Sequence, residues 1–214
     1  MSKRKLIDNN ILHTNNTQTY NNFDLQYYNL NNCDKIYTKN KDIYFSATIN
    51  DITIHKLIEF IQYIHINHNN NNTIYIHITS KGGYLSSIFK FIDFKKTINY
   101  HLTSIMIDEC NDIAIILSNL CDYRLVTKNT LCKLSKYNDN NHNNYRNYWG
   151  YFKQCNEDEE SILLFKTNLY NLFLNTIKTK ITLEKFNTYL IHSHNINIWN
   201  SKKSKKLGLI DEII

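Results

Sequence analysis

Proline is absent from this 214-residue chain, glycine occurs only 4 times, and alanine stands only at Ala47 and Ala114. Asn, Ile, Lys and Tyr are abundant in their place, and these are residues of AT-rich codons. The bias reads as a property of the genome and not as disorder, because 42% of residues are hydrophobic and 13% aromatic, more than a solvated chain carries. A glycine that survives such a bias sits where only glycine fits the backbone, which singles out Gly82, Gly83, Gly150 and Gly208. No apolar run approaches the roughly 20 residues of a membrane span, and residues 1–20 lack the apolar stretch of a secretory signal, so no membrane association is expected. The five cysteines, Cys33, Cys110, Cys121, Cys132 and Cys155, form no CxxC pair and are odd in number. That excludes a zinc ribbon and a disulfide framework and fits a reducing compartment. His65 with His68 and His192 with His194 have no Cys or acid at ligand spacing, so no metal and no cofactor is expected.

What is present suffices for one sizeable core. The net charge is +6 and the pI about 8.9, yet the basic residues form no long arm. The densest run, Lys202, Lys203, Lys205 and Lys206, reads as the solvated face of a terminal helix. Nucleic acid is not an expected partner, because the aromatics follow core periodicity and do not interleave with Lys. Lys3, Arg4 and Lys5, with no acid before Asp8, fit the remnant of an organelle-targeting leader, although Ser and Arg are too few to argue strongly for one.

Hydrophobic periodicity divides the chain. Residues 1–41 are polar and Asn-rich and read as a flexible arm, with one short helix near Phe23 to Tyr28. From there the pattern predicts a strand at Ile43–Thr48 and an amphipathic helix at Ile54–His65, with Leu57, Ile58, Ile61 and Ile64 on one stripe. Ile74, Ile76 and Ile78 alternate with Tyr75 and His77 in a strand that ends in the turn Ser80-Lys81-Gly82-Gly83. A helix through Leu85, Ile88, Phe89 and Ile92 follows, then a buried strand at Leu102–Ile107, a short helix at Ile113–Leu120, and strands at Tyr123–Thr127 and Leu131–Leu134. Tyr137–Tyr148 reads as an Asn-dominated loop. Glu157–Lys178 is the longest periodic helix, with acids in its first turn, and Leu183–Leu190 is another. Strand and helix alternating from 43 to 135 predict right-handed βαβ units, an α/β fold, with the late helices appended. The glycine turn lets backbone N–H groups approach a bound carbonyl, and an N–H opening the later helix would complete an oxyanion hole.

The stretch IYFSATIND, then IYIHITSKGG, FIDF and the final LGLIDEII resemble the proteolytic subunit of the Clp protease, ClpP. The family's SPGG-like motif is matched by Ser80, Lys81, Gly82 and Gly83, with Lys81 for Pro, and its YGLVD-like segment by Leu207-Gly208-Leu209-Ile210-Asp211. The resemblance covers roughly residues 42–214 and lies more in order and spacing than in identity. It implies a ClpP/crotonase-like spiral of βαβ units, with a protruding handle at about 136–180 that interdigitates between stacked rings of seven.

It also implies a Ser-His-Asp peptidase, in which Ser attacks, His takes its proton and Asp orients the His. Counting from Gly82 puts the nucleophile position at Asp112, or at Asn111 with a slip of one. Anchoring on Arg124 puts the base at Ser135, or at Lys136 with a slip. Counting back from Gly208 puts the third member at Ile196, between Asn195 and Asn197. The triad is thus degenerate at three separately anchored positions, while the oxyanion donors carry over as the backbone of Gly82, Gly83 and Ile113. The family's Gly-rich substrate segment would fall at Lys136–Gly150, where only Gly150 remains. The expectation is a non-catalytic, ClpR-like pseudoenzyme of plastid type. It would occupy a homo- or hetero-heptameric ring with catalytic ClpP-type subunits and help to dock a Clp-family AAA+ ATPase. One alternative is an active serine- or cysteine-type Clp endopeptidase with a displaced nucleophile such as Cys110, for which the candidate bases His101 and His142 have no spacing argument. The other is a crotonase relative that processes acyl-CoA.

Overall fold

The computed structural model describes residues 25–29, 34–67, 73–135 and 196–214. Alternation of side chains across each strand is what sorts this chain into a sheet with one helical face. In β2 (Lys35–Lys39) Ile36 and Thr38 are buried between exposed Lys35 and Lys39, and in β3 (Asp42–Ser46) Ile43 and Phe45 are buried. β4 (Thr73–Ser80) buries Ile74, Ile76 and Ile78 in the same way. These residues meet α1 (Asp51–Asn67), whose Ile54, Leu57, Phe60, Ile61 and Ile64 form its buried stripe. α2 (Leu85–Thr97) packs on α1 and on α3 (Ile113–Asn119), which lies against β4 and β5 and is buried at every residue. The periodicity from Ile43 to Leu134 therefore placed these strands and helices to within a few residues.

β1 (Leu25–Asn29), β2 and β3 pair antiparallel, and β3, β4, β5 (His101–Asn111) and β6 (Tyr123–Val126) pair parallel through the helical crossovers. β7 (Leu131–Ser135) pairs with the far end of β5. β8 (Ile196–Asn200) runs antiparallel to β7, and β9 (Glu212–Ile213) lies parallel beside β6. α4 (Ser201–Lys206) links β8 to the segment before β9, with Lys202, Lys203, Lys205 and Lys206 exposed, as a solvated helix face requires.

The sheet starts earlier than the periodicity indicates. Leu25–Asn29 is a strand where a helix near Phe23–Tyr28 is predicted, and β2 falls inside the stretch read as a flexible arm to residue 41. Asn40, at φ 55, closes the two-residue turn between Lys39 and its partner Asp42, a position that Asn tolerates better than most residues. Polar Lys and Tyr conceal the alternation in β2, which turns only Ile36 and Thr38 inward. The helices predicted at 157–178 and 183–190, the loop at 137–148 and the handle at about 136–180 lie outside the described residues.

Candidate functional site

β5 carries an irregularity that builds the site. Ile78 pairs with Met106, but Ser80 pairs with Cys110, so two steps of β4 face four of β5. Asp108 takes φ 58 inside this bulge. Before it, β5 pairs with β6; after it, Glu109, Cys110 and Asn111 pair with Leu131, Cys132 and Lys133 of β7. The bulge thus turns the strand end towards a different neighbour and delivers the chain to α3 through Asp112.

Asp112 is the strained residue of that turn, at φ 46 and ψ −104, and is 2% exposed. Such backbone costs about 1–3 kcal/mol in a non-glycine residue and persists only where the surroundings impose it. Here they do: Asp112 N donates to the Lys133 carbonyl at 2.9 Å, and the Asp112 carbonyl accepts from Ile115 N at 3.1 Å and Ile116 N at 3.3 Å. Ile113 opens α3, and the N–H groups of a first helical turn have no acceptor within their own helix.

The glycine turn abuts this residue. A β-carbon on Gly82 would lie 3.2 Å from the Asn111 carbonyl oxygen and 3.8 Å from both Asp112 Cβ and Ile113 N. Ser80 Oγ accepts from Gly82 N at 3.1 Å and shapes the turn. Ile49 N donates to the Gly82 carbonyl at 2.9 Å, and Tyr84 N donates to the Ile49 carbonyl at 2.7 Å. Those two bonds flank Gly83 in a parallel bridge, which leaves the Gly83 N–H on the side away from Ile49.

Of the positions singled out in the sequence, Gly82, Asp112 and Ile113 are therefore in contact, with Gly83 adjoining. Ser135 and Ile196 are register partners on β7 and β8, and Ser135 is two residues beyond the Lys133 carbonyl that receives Asp112 N. One corner of the sheet gathers all of them. Lys136, His142, Gly150 and Asn195 lie outside the described residues. Glu109 and Asn111 also belong to this corner as acceptors; the periodicity ends β5 at Ile107, before either, because the bulge breaks the alternation.

Cys110 has no exposed surface, and its Sγ lies 3.1 Å from the Ile78 carbonyl. Burial, and then the neighbouring Cys132, push its thiol far above the ordinary value, so no thiolate forms at neutral pH. Burial likewise pushes the Cys132 thiol up to about 11, with Ser204 opposing. His101 stands at the opposite end of β5, 4.0 Å from Asp122, and cannot serve Cys110. Among the described residues no three His, Cys, Asp or Glu side chains gather at metal-binding distance.

No family model matches the sequence, and no curated protein matches it significantly. Among solved structures the chain is similar to the ClpP protease catalytic domain from Plasmodium falciparum, with a TM-score of 0.60 and 21% identity over 81% of this chain and 85% of that one. The alternating parallel strands, the helical layer and the glycine turn against α3 thus make up a ClpP-type fold.

Proposed function

We propose that this chain is a non-catalytic, ClpR-like subunit of a Clp-type protease core. In this reading it takes places in a seven-membered ring beside catalytic ClpP-type subunits, meets a Clp-family AAA+ ATPase, and works in a plastid. The observation that carries the reading is Asp112 at the strained β5–α3 turn. Peptide hydrolysis by a triad needs a hydroxyl or thiol whose proton a base removes as it attacks. A carboxylate has no such proton, and its attack on an amide would yield an anhydride less stable than the bond broken. Ser135 opposite Ile196 offers neither an imidazole nor a carboxylate to orient one. The backbone donors at Gly83 and Ile113 still suit a peptide carbonyl, so the corner holds a polypeptide without cutting it. The AT-rich composition supports the plastid by association.

The test is light scattering on the purified chain, with a peptidase assay and a fluorophosphonate probe on the same fractions. A ring-sized particle, or a ring formed only on adding a ClpP-type subunit, with no cleavage and no labelling by this chain, is the expected result. Cleavage in a ring composed of this chain alone overturns the reading.

A further inference from the structure

Four of the six residues of α4 are lysine, all exposed, while the other two, Ser201 and Ser204, are buried. Such a face repels itself, because Lys202 lies one turn from Lys205 and Lys206, and Lys203 one turn from Lys206. Ser201 Oγ donates to the Lys128 carbonyl at 3.0 Å, which sets a fifth exposed lysine beside the start of the helix. No acid stands between Asn195 and Ile210, and the carboxylates that follow are engaged, Asp211 with Arg124 and Glu212 with the Tyr123 hydroxyl. Among the described residues none of the five lysines pairs with a carboxylate. The abundance of lysine codons does not explain this. Under the same bias Lys56 of α1 sits on Glu59 at 2.7 Å, and all three lysines of α2 are paired: Lys90 with Asp51 at 2.9 Å, Lys95 with Asp122 at 2.7 Å and Lys96 with Asp93 at 3.0 Å. The lysines of α1 and α2 have their counter-charges within the chain, and those of α4 do not.

We propose that α4 and Lys128 form a docking surface for an acidic segment of a protein partner. Glutamate and aspartate side chains supply the charge that this surface lacks, and they relieve the repulsion along the helix. Nucleic acid suits it less. α4 has no arginine to fork onto a phosphate or a base, and Trp199, the ring under Lys203, is 1% exposed with Lys203 Nζ 5.8 Å from its centre, so no base can stack on it. A bilayer suits it no better, because Ser201, Ser204 and Leu207 turn inward and leave α4 no apolar face to enter lipid. The surface belongs to a different element from the glycine turn, so it can act whether or not the chain joins a protease ring.

Fluorescence anisotropy on the full chain tests it with two labelled serine-rich peptides that differ only in carrying glutamates or glutamines. At low salt the glutamate peptide should bind at least about tenfold more tightly, since an exposed ion pair is worth roughly 1.5- to 5-fold and several act together. Raising the salt to physiological strength should shrink that preference, as the Debye length falls to about 8 Å. Lys202→Gln, Lys203→Gln, Lys205→Gln and Lys206→Gln combined, checked by thermal melting to be folded, should cut the preference to about twofold or less. Lys35→Gln, Lys39→Gln, Lys90→Gln and Lys96→Gln combined remove the same charge elsewhere and should leave most of it. Equal binding of the two peptides overturns the docking surface and leaves a solvated face, and an equal loss in both variants overturns it in favour of net charge alone. Tighter binding of a labelled oligothymidylate of matched charge than of the glutamate peptide overturns the acidic protein segment as partner and puts nucleic acid in its place.

Discussion

The Ile49 carbonyl oxygen lies 1.9 Å from where a β-carbon on Gly83 would sit, closer than any side chain allows. Gly83→Ala must therefore push the 47–50 segment off the glycine turn, breaking the bonds that Ile49 makes to Gly82 and Tyr84. The expected loss is about 2–3 kcal/mol, read as a lowered urea midpoint with an unchanged slope. This glycine was legible from composition alone, since so few glycines survive the bias. The conformation of Asp112 was not: Asp tolerates a positive φ better than most residues, but nothing in Asn111-Asp112-Ile113 requires one. The strain is imposed by the bond to Lys133, on another strand, and by the burial of the whole of α3, which follows directly; both depend on tertiary packing.

The strands show how register adds to alternation. Tyr37, Tyr44 and His77 are register neighbours on β2, β3 and β4 and stack in a ladder, with ring centroids 4.7 Å apart for the tyrosines and 4.4 Å for Tyr44 and His77. Burial lowers the His77 pKa, and this outweighs the attraction of Asp42, 3.6 Å away. The unfolded chain therefore binds the proton more readily than the folded one. The stabilising effect of neutral His77 is complete above the ordinary histidine value and is lost as pH falls below it. His77→Phe keeps the stack and removes the titration, so its stability should vary less between pH 7 and 5 than that of the parent, as measured by urea unfolding at each pH. The alternation Ile74, Ile76, Ile78 against Tyr75 and His77 was readable in the sequence, but the stack was not, because it depends on which residue of β3 meets which residue of β4. The same limit hid β1, β2 and the last residues of β5, where short polar strands and a bulge leave too little alternation to detect.

Across the whole molecule, the C-terminal segment is fastened by a buried ion pair. Arg124, 1% exposed, donates from Nε and Nη2 to the Asp211 carboxylate at 3.1 and 3.2 Å and from Nη1 to Asn119 Oδ1 at 2.6 Å. The Asp211 backbone N–H returns a bond to the Arg124 carbonyl at 2.8 Å. This ties β6, the end of α3 and the approach to β9 together. Arg124→Ala leaves a largely buried carboxylate without its partner and should cost about 3–5 kcal/mol in chemical unfolding. Asp211→Ala should cost a comparable amount, and the double variant less than the sum. By itself the sequence determined the α/β class, most element positions from 43 to 135 and the glycine turn, since these follow from local periodicity and from how rare glycine is. Only the tertiary structure decided that Gly82, Asp112, Ser135 and Ile196 share one corner. Their proximity is set by strand order, a bulge and register between segments more than 20 residues apart, and no local pattern records those.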